Sequence, residues 1–423
     1  MKIAVIGSGI AGNVAAYHLC KEHDITMFEA NDYVGGHTHT HEIIHDGKQY
    51  RIDTGFIVFN YNTYPNFTRL LEELEVDVQA SNMSFSVKSE KDGLEYNGTT
   101  INSLFAQRSN LLRPSFYLMI KDILRFNKEA LQLLAEDTDE VSLGDFLRDG
   151  RYSPQFINHY LIPMGAAIWS ADPAQMQDFP AHFFVRFFHN HGMLSVDDRP
   201  QWYVIKNGSN SYVEKLIAPF RDRIRTHSSI EAITRHPNHV IVKARGLEEK
   251  FDAVFIASHS DQALRMLTDA SPAEREILGA IPYQSNEAVL HTDHTVLPKR
   301  RLAWAAWNYH LLAQEQAQVA LTYNMNILQS IDAPVEFCVT LNNTRAIDPD
   351  KIIKRIQYDH PMFTPEGVQA QQRQHEINGV NRTYYCGAYW RYGFHEDGVV
   401  SALDALKHFR EQQYEELSIR RAS

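Results

Sequence analysis

Cysteine is scarce in this 423-residue chain: Cys20, Cys338 and Cys386 are odd in number and far apart, which leaves no disulfide framework and no thiolate metal set. The pattern fits a reducing compartment. No apolar run reaches the roughly 18 residues that a membrane-spanning helix needs. Positive charge is also short, with 41 Lys and Arg against 52 Asp and Glu and a net charge of −11. A nucleic-acid partner, which would leave a basic footprint, is therefore not expected. Internal repeats and low-complexity linkers are missing too, which excludes solenoids and strings of tethered modules. What remains is a soluble cytoplasmic character and enough apolar residues, 44% of the chain, to bury a large core in two domains.

The informative stretch is IAVIGSGIAGNVAAYHLCKEHDITMFEANDYVGGH, residues 3–37. Ile3 to Ile6 is an apolar run of buried-strand type, and Gly7-Ser8-Gly9-Ile10-Ala11-Gly12 follows it directly. Gly7 permits the tight turn, Gly9 lets a pyrophosphate approach the backbone, and Gly12 lets the next helix pack close to the sheet. The phosphates then meet free N–H groups at the helix N-terminus, where the dipole favours negative charge. Asn13 to Lys21 continues as a helix, and Ile25 to Phe28 forms a second strand ending in Glu29. That carboxylate falls where an acceptor for ribose hydroxyls belongs, and it repels a 2′-phosphate. Lys2 before an apolar stretch also imitates a signal peptide, but the glycines, both strands and the acid in register favour the dinucleotide reading.

After Glu29 come Ala30, then Gly35-Gly36-His37-Thr38, and later Asp53-Thr54-Gly55-Phe56. With these motifs the chain resembles the flavin-dependent superfamily of monoamine oxidases, polyamine oxidases, protoporphyrinogen oxidase and phytoene desaturases. Members carry an acid, a Gly-Gly pair and a basic residue that reaches the flavin or its phosphates; here His37 stands where Arg is usual. The resemblance implies FAD as cofactor, no metal, and flavin contacts near Thr54, Gly55 and Phe56. Phe251 to Ser258, after a Val240-Ile241-Val242 strand, looks like the second flavin-domain stretch, with cofactor contacts implied at Ile230 and Ser258. Tyr203 to Ser209 sits where relatives have a Gly-rich turn opening a helix. Thr383 to Ala388 and Gly393 to Ala402 look like the closing flavin motif. Gly387 and Ala388 end a strand there, and a helix start near Gly398, Val399 and Val400 points N–H groups at the flavin.

The expected fold class is α/β: a glutathione-reductase-like Rossmann FAD domain plus a mixed-sheet and helical substrate domain, discontinuous in sequence. The FAD domain takes residues 1–80, 203–282 and 372–423. The substrate domain takes 81–202 and 283–371. Within it Pro114 to Glu136 and Ser142 to Leu147 are predicted helices, with Ser142 as N-cap. Ala288 to His291, Leu302 to Tyr309, Gln318 to Tyr323 and Val335 to Leu341 are predicted strands. Aromatics concentrate in Phe183 to Phe188 and Trp304 to Tyr309, in the stretches expected to face substrate. Such clusters line ligand pockets, although ordinary core burial accounts for them as readily.

His37, His39 and His41 alternate, so in a strand they share one face and could ligate a metal. With no Cys or carboxylate joining them, a flavin-proximal His37 with two solvent-facing neighbours is the favoured alternative, and His189-Asn190-His191 reads as a loop or polar rim. For proton movement Tyr309, His310 and His395 are the candidates by position, His395 serving equally well to cap the last helix. Phe394 matches one position of the amine cage of the superfamily's amine oxidases, whereas their flavin-side lysine has no match.

The stretch AWAAWNYH with YYCGAYWRYGFHEDGVVSAL is most similar to a bacterial group of NAD/FAD-binding amine-oxidase-like proteins related to the flavin-binding N-terminal region of plant cyclopropane fatty acid synthases. That resemblance implies hydride removal from a C–H bond of an apolar, acyl-lipid substrate by desaturation or oxidation, with peripheral contact at the inner membrane face. No second glycine turn serves NADPH, so oxygen, a quinone or another carrier is the expected electron acceptor. An amine oxidase is the alternative. A non-enzymatic lipid-binding carrier on the same fold is the third.

Overall fold

The computed structural model describes residues 1–135, 141–195, 199–314, 316 and 318–422, with 415–422 described by backbone only. Its first sheet is wholly parallel, in the order Ile224–Arg225, Asp24–Phe28, Lys2–Ile6, Ala253–Ile256, Thr383–Tyr385. Parallel sheets need cover on both faces, and the sequence supplies it. The helix Ile10–Leu19 and the long helix His395–Ala422 pack together over one face, with Val14, Leu19, Ala402, Leu406 and Phe409 in the core. On the other face lies the antiparallel sheet Ile230–His236, His239–Ala244, Leu247–Phe251, joined by the helices Ser260–Met266 and Pro272–Gly279. The first strand ends at Ile6, so the glycine turn opens outside the carboxyl edge of the sheet, where open α/β sheets bind ligands.

A second sheet of seven strands is mixed. Its order is Ile352–Pro361, Tyr283–His291, Cys338–Leu341, Leu321–Asn324, Trp307–Leu311, Phe85–Ser89, Glu95–Asn97. Only the pair Trp307–Leu311 with Phe85–Ser89 is parallel. The helices Pro114–Leu133, Leu143–Asp149, Ile162–Trp169 and Ala181–Asn190 share one apolar core with it. A short sheet of Val58–Phe59, Trp202–Ile205 and Val78–Ser81 lies between the two larger ones in sequence and in packing.

Several expectations change in detail. The helix from Pro114 ends at Leu133, and Glu136 lies outside the described residues. Ser142 does cap its helix, accepting from Asp145 N. Leu302 to Ala306 is not strand: Arg301–Ala303 is a 3-10 turn and pairing starts at Trp307, because Asn308 Oδ1 takes Ala305 N–H and ties that loop locally. The stretch 81–202, where only helices are expected, also supplies two strands, Phe85–Ser89 and Glu95–Asn97. The last helix begins at His395, three residues before Gly398.

Candidate functional site

A cavity of about 820 Å³ runs along the glycine turn and under the seven-stranded sheet, within the size range of cofactor and ligand sites. Gly7, Gly9, Ile10 and Ala11 line its floor, as do Glu29 and Ala30. Glu29 accepts from Ser8 N (2.9 Å), Ser8 Oγ (2.5 Å) and Asn31 N (2.8 Å), so three local donors fix its carboxylate at the strand end. Gly35 N donates to Ser8 O at 3.0 Å and folds the second glycine pair onto the first. Gly36 adopts φ +60°, and a Cβ there would stand 2.9 Å from Gly9 Cα, so Gly36 needs to be glycine for this contact.

Gly35, Gly36, His37, Gly55 and Phe56 also line the cavity, with Ile230 and Ser258 on one side and Gly387, Ala388, Phe394 and His395 on another. Other residues expected at the cofactor stand behind this lining. A Cβ on Gly12 would meet Gly7 O at 1.9 Å and Ala257 Cβ at 3.2 Å, so Gly12 serves helix–strand packing. Thr38 Oγ1 lies 2.7 Å from Tyr212 OH, and Thr54 Oγ1 lies 2.8 Å from Tyr358 OH. Gly398, Val399 and Val400 are the fourth to sixth residues of the last helix; a Cβ on Gly398 would touch Ile10 Cγ2 at 2.6 Å, so the helix approaches the glycine loop only because that position is bare.

Tyr309 and His310 do not line the cavity among the described residues. Tyr309 is 2% exposed in the core near Phe85, and His310 Nε2 hydrogen-bonds Thr322 Oγ1 at 3.0 Å, continuing through Thr340 to His291. His395 faces the cavity, stacked on Phe56 at 3.7 Å, with Nε2 2.6 Å from Tyr212 OH. Burial lowers it to about 3, so it is neutral at physiological pH. His37 is also neutral: burial first, then the imidazoles of His360 and His259, hold it well below the usual histidine range. Its Nε2 is buried without a hydrogen-bond partner. His37 and His39 precede the strand Thr40–His45, so only His41 belongs to it, and no group of three or more His, Cys, Asp or Glu suited to a metal occurs among the described residues.

Asp53 holds this corner together. It accepts from Thr40 Oγ1 (2.5 Å), Ser209 N (2.9 Å), Ser209 Oγ (2.8 Å) and Gln329 Nε2 (3.0 Å), joining the segment before Gly55 to the Gly208 turn and to Gln329. Asp53→Asn turns an N–H group toward these donors. We expect a loss of about 1–2 kcal/mol in urea unfolding.

The remaining wall includes Phe187 and Trp307 and residues that no motif marks: Met83, Ile168, Met193 and Tyr323, with Tyr358 and His360 above His37 at ring separations of 5.0 and 5.3 Å. Of the two aromatic runs, Phe187 and Trp307 reach the cavity, whereas Phe184 and Phe188 are core and Trp304 Nε1 donates to Pro298 O. Tyr358 and His360 follow the two-residue period of one strand face, a signal present in the sequence but weak over so short a span.

The arrangement fits a dinucleotide flavin. A Cβ at Gly9 would meet nothing within 4 Å, a bare floor against which a phosphate chain can lie, and the unpartnered His37 Nε2 opens onto the same cavity. The Flavin containing amine oxidoreductase family matches residues 10–310. A curated relative, the 1-hydroxycarotenoid 3,4-desaturase of Flavobacterium sp. (strain P99-3), is 40% identical over 79 residues, which are 18% of this chain and 15% of that protein's length. Among solved structures, cyclohexylamine oxidase from Brevibacterium oxydans IH-35A aligns over 98% of this chain and 99% of its own, at 14% identity and a TM-score of 0.71. The CLA-producing fatty acid isomerase from P. acnes aligns over 96% and 98%, at 16% identity and a TM-score of 0.68. These two share the fold.

Proposed function

The chain belongs to the flavin containing amine oxidoreductase family, and on that premise we propose that this FAD-dependent oxidoreductase removes a hydride from a C–H bond of an apolar, acyl-lipid substrate. The observation that carries the substrate class is the cavity wall. Ile168, Phe187, Met193, Trp307 and Tyr323 line the half contributed by the substrate region, and no lysine lines the cavity among the described residues. Bound FAD supplies the hydride acceptor at flavin N5. The glycine turn, Glu29 and the Gly35-Gly36-His37 loop would hold it, and the apolar wall would exclude water and orient the chain to be oxidised. His395, neutral and tied to Tyr212, is a positioning residue: it fixes Phe56 and the start of the last helix rather than storing a proton.

The names of the carotenoid desaturase and the fatty acid isomerase support an apolar chain as substrate. The electron acceptor would be oxygen, a quinone or another carrier, and the protein would work in the cytoplasm against the inner membrane face; no helix among the described residues is long and apolar enough to cross it. An amine substrate is the second reading, because Phe394 stands in the cavity stacked on Phe187 at 4.9 Å, as one wall of an amine cage would.

Anaerobic bleaching of the purified yellow protein separates the two. Unsaturated or cyclopropanated phospholipid in detergent micelles should bleach the flavin, and amines should not. Bleaching by amines alone replaces the acyl-lipid reading, and a protein that takes up no FAD removes both.

A further inference from the structure

The helix Pro114–Leu133 is apolar on two sides. Phe116, Met119, Phe126, Ala130 and Leu133 are buried in the core of the substrate region. The opposite side carries Tyr117, Leu118, Leu124 and Leu131 into solvent, and the turn before it adds Leu111 and Leu112, the latter 87% exposed. Among the described residues, seven of the fifteen exposed large apolar side chains fall between Ile101 and Leu131. Scattered exposed leucines need no explanation, but a contiguous patch marks a surface that is covered in use.

Charge identifies the cover. Residues 101–135 hold five basic residues against two acidic ones, in a chain whose net charge is −11. Both acids are engaged at home: Asp122 and Glu129 pair with Arg125 at 3.5 and 3.7 Å, and Asp122 also accepts Ser153 N. Lys121 and Lys128 have no ion pair among the described residues. They stand seven residues apart, as do Tyr117, Leu124 and Leu131, and the two stripes lie about 40° apart around the helix. Leu118 borders the lysines on their other side. Lysines flanked by leucines and a tyrosine are the pattern of a helix that lies in a membrane interface, its apolar stripe among acyl chains and its ammonium groups at anionic headgroups.

We propose that the face formed by residues 108–131 docks on an anionic phospholipid bilayer, with the helix lying in the plane of the interface. No residue of this face lines the cavity. The helix does pack against Ala181–Asn190, which gives Phe187 to the cavity wall, so one helical layer meets lipid outside and the site inside. The inference extends the acyl-lipid reading above but draws on none of the flavin residues.

The test is co-sedimentation of the FAD-loaded protein with vesicles of phosphatidylglycerol in phosphatidylcholine, against pure phosphatidylcholine vesicles. Binding should need the anionic lipid and weaken as salt rises. Lys121→Gln/Lys128→Gln should bind about 25-fold more weakly, at about fivefold per cation removed. Leu112→Ser/Leu124→Ser/Leu131→Ser should not bind, with the flavin spectrum showing that it is folded; if that triple variant loses its colour, the lysine pair decides alone. Wild-type protein that ignores anionic vesicles overturns the proposal, as does a dimer in sedimentation velocity that the leucine variant alone dissolves. Vesicle binding without bleaching by phospholipid in micelles retains the docking face and removes the substrate reading.

Discussion

Gly9→Val should fold as the parent chain does and purify without yellow colour. The backbone at Gly9 is extended (φ −67°, ψ −179°), a conformation open to any residue, and a Cβ there meets nothing within 4 Å. The fold therefore gives no reason against a side chain at this position. The cavity floor does: Gly9 lies beside Gly36, and the valine methyls would occupy the space proposed above for the pyrophosphate. Overpacking at a site of fixed backbone costs about 1–3 kcal/mol, so FAD affinity should fall by up to about 100-fold. Gly12→Ala behaves differently. Its Cβ would stand 1.9 Å from Gly7 O, a backbone atom that cannot turn aside, so the variant should lose stability together with colour. Flavin content and a urea midpoint measured on both variants separate the two glycines. A yellow Gly9→Val protein of parental affinity would mean that the phosphates lie elsewhere.

The half of the cavity lined by the glycine turns was legible in the sequence because each turn is made by consecutive residues. Gly7 to Gly12, Glu29 and Gly35-Gly36-His37 carry their geometry in their spacing. The opposite half was not, because it is assembled from strands and helices far apart in the chain. Residues 304–309 show the limit. The aromatic run marks the neighbourhood but not which side chain arrives: Trp307 lines the cavity, Tyr309 on the same strand face is core, and His310 on the opposite face binds Thr322. Gly398 misled for a related reason. As a helix breaker it suggests a helix start, yet the structure uses it inside the first turn, where the missing Cβ admits Ile10. The true start is organised by carboxylates: Asp397 accepts Phe394 N at 2.8 Å, and Glu396 accepts Asn66 N and Phe67 N at the beginning of another helix. No short pattern announces a cap supplied to an element 330 residues away.

Glu274→Ala should lose about 3–5 kcal/mol of folding stability, the most of any single change outside the glycine loops. Arg235, on the strand Ile230–His236, has a side chain 1% exposed and donates from Nη1 and Nη2 to the two oxygens of Glu274 at 2.6 and 2.9 Å. Tyr385 OH, on the last strand of the parallel sheet, donates to the same carboxylate at 2.6 Å, and Ser271 N at 2.7 Å closes the capping box of the helix Pro272–Gly279. One carboxylate thus joins three elements beneath the cofactor sheet, and its removal leaves a buried guanidinium and a buried hydroxyl. Asp269, whose pairing with Arg235 at 2.7 Å survives, keeps the loss toward the lower end. Burial would raise the Glu274 carboxyl, but the Arg235 and Tyr385 hydrogen bonds outweigh it and hold it at about 2. A depressed folded-state value stabilises above the unfolded carboxyl pKa of about 4.3 and is lost as pH falls toward 2. The gap between parent and variant should therefore be full at pH 7 and should narrow progressively below about pH 4, because acid removes from the parent the charge that the mutation has already removed. Urea midpoints across that range measure it. A gap under about 1 kcal/mol at neutral pH would place Glu274 among the ion pairs that contribute little.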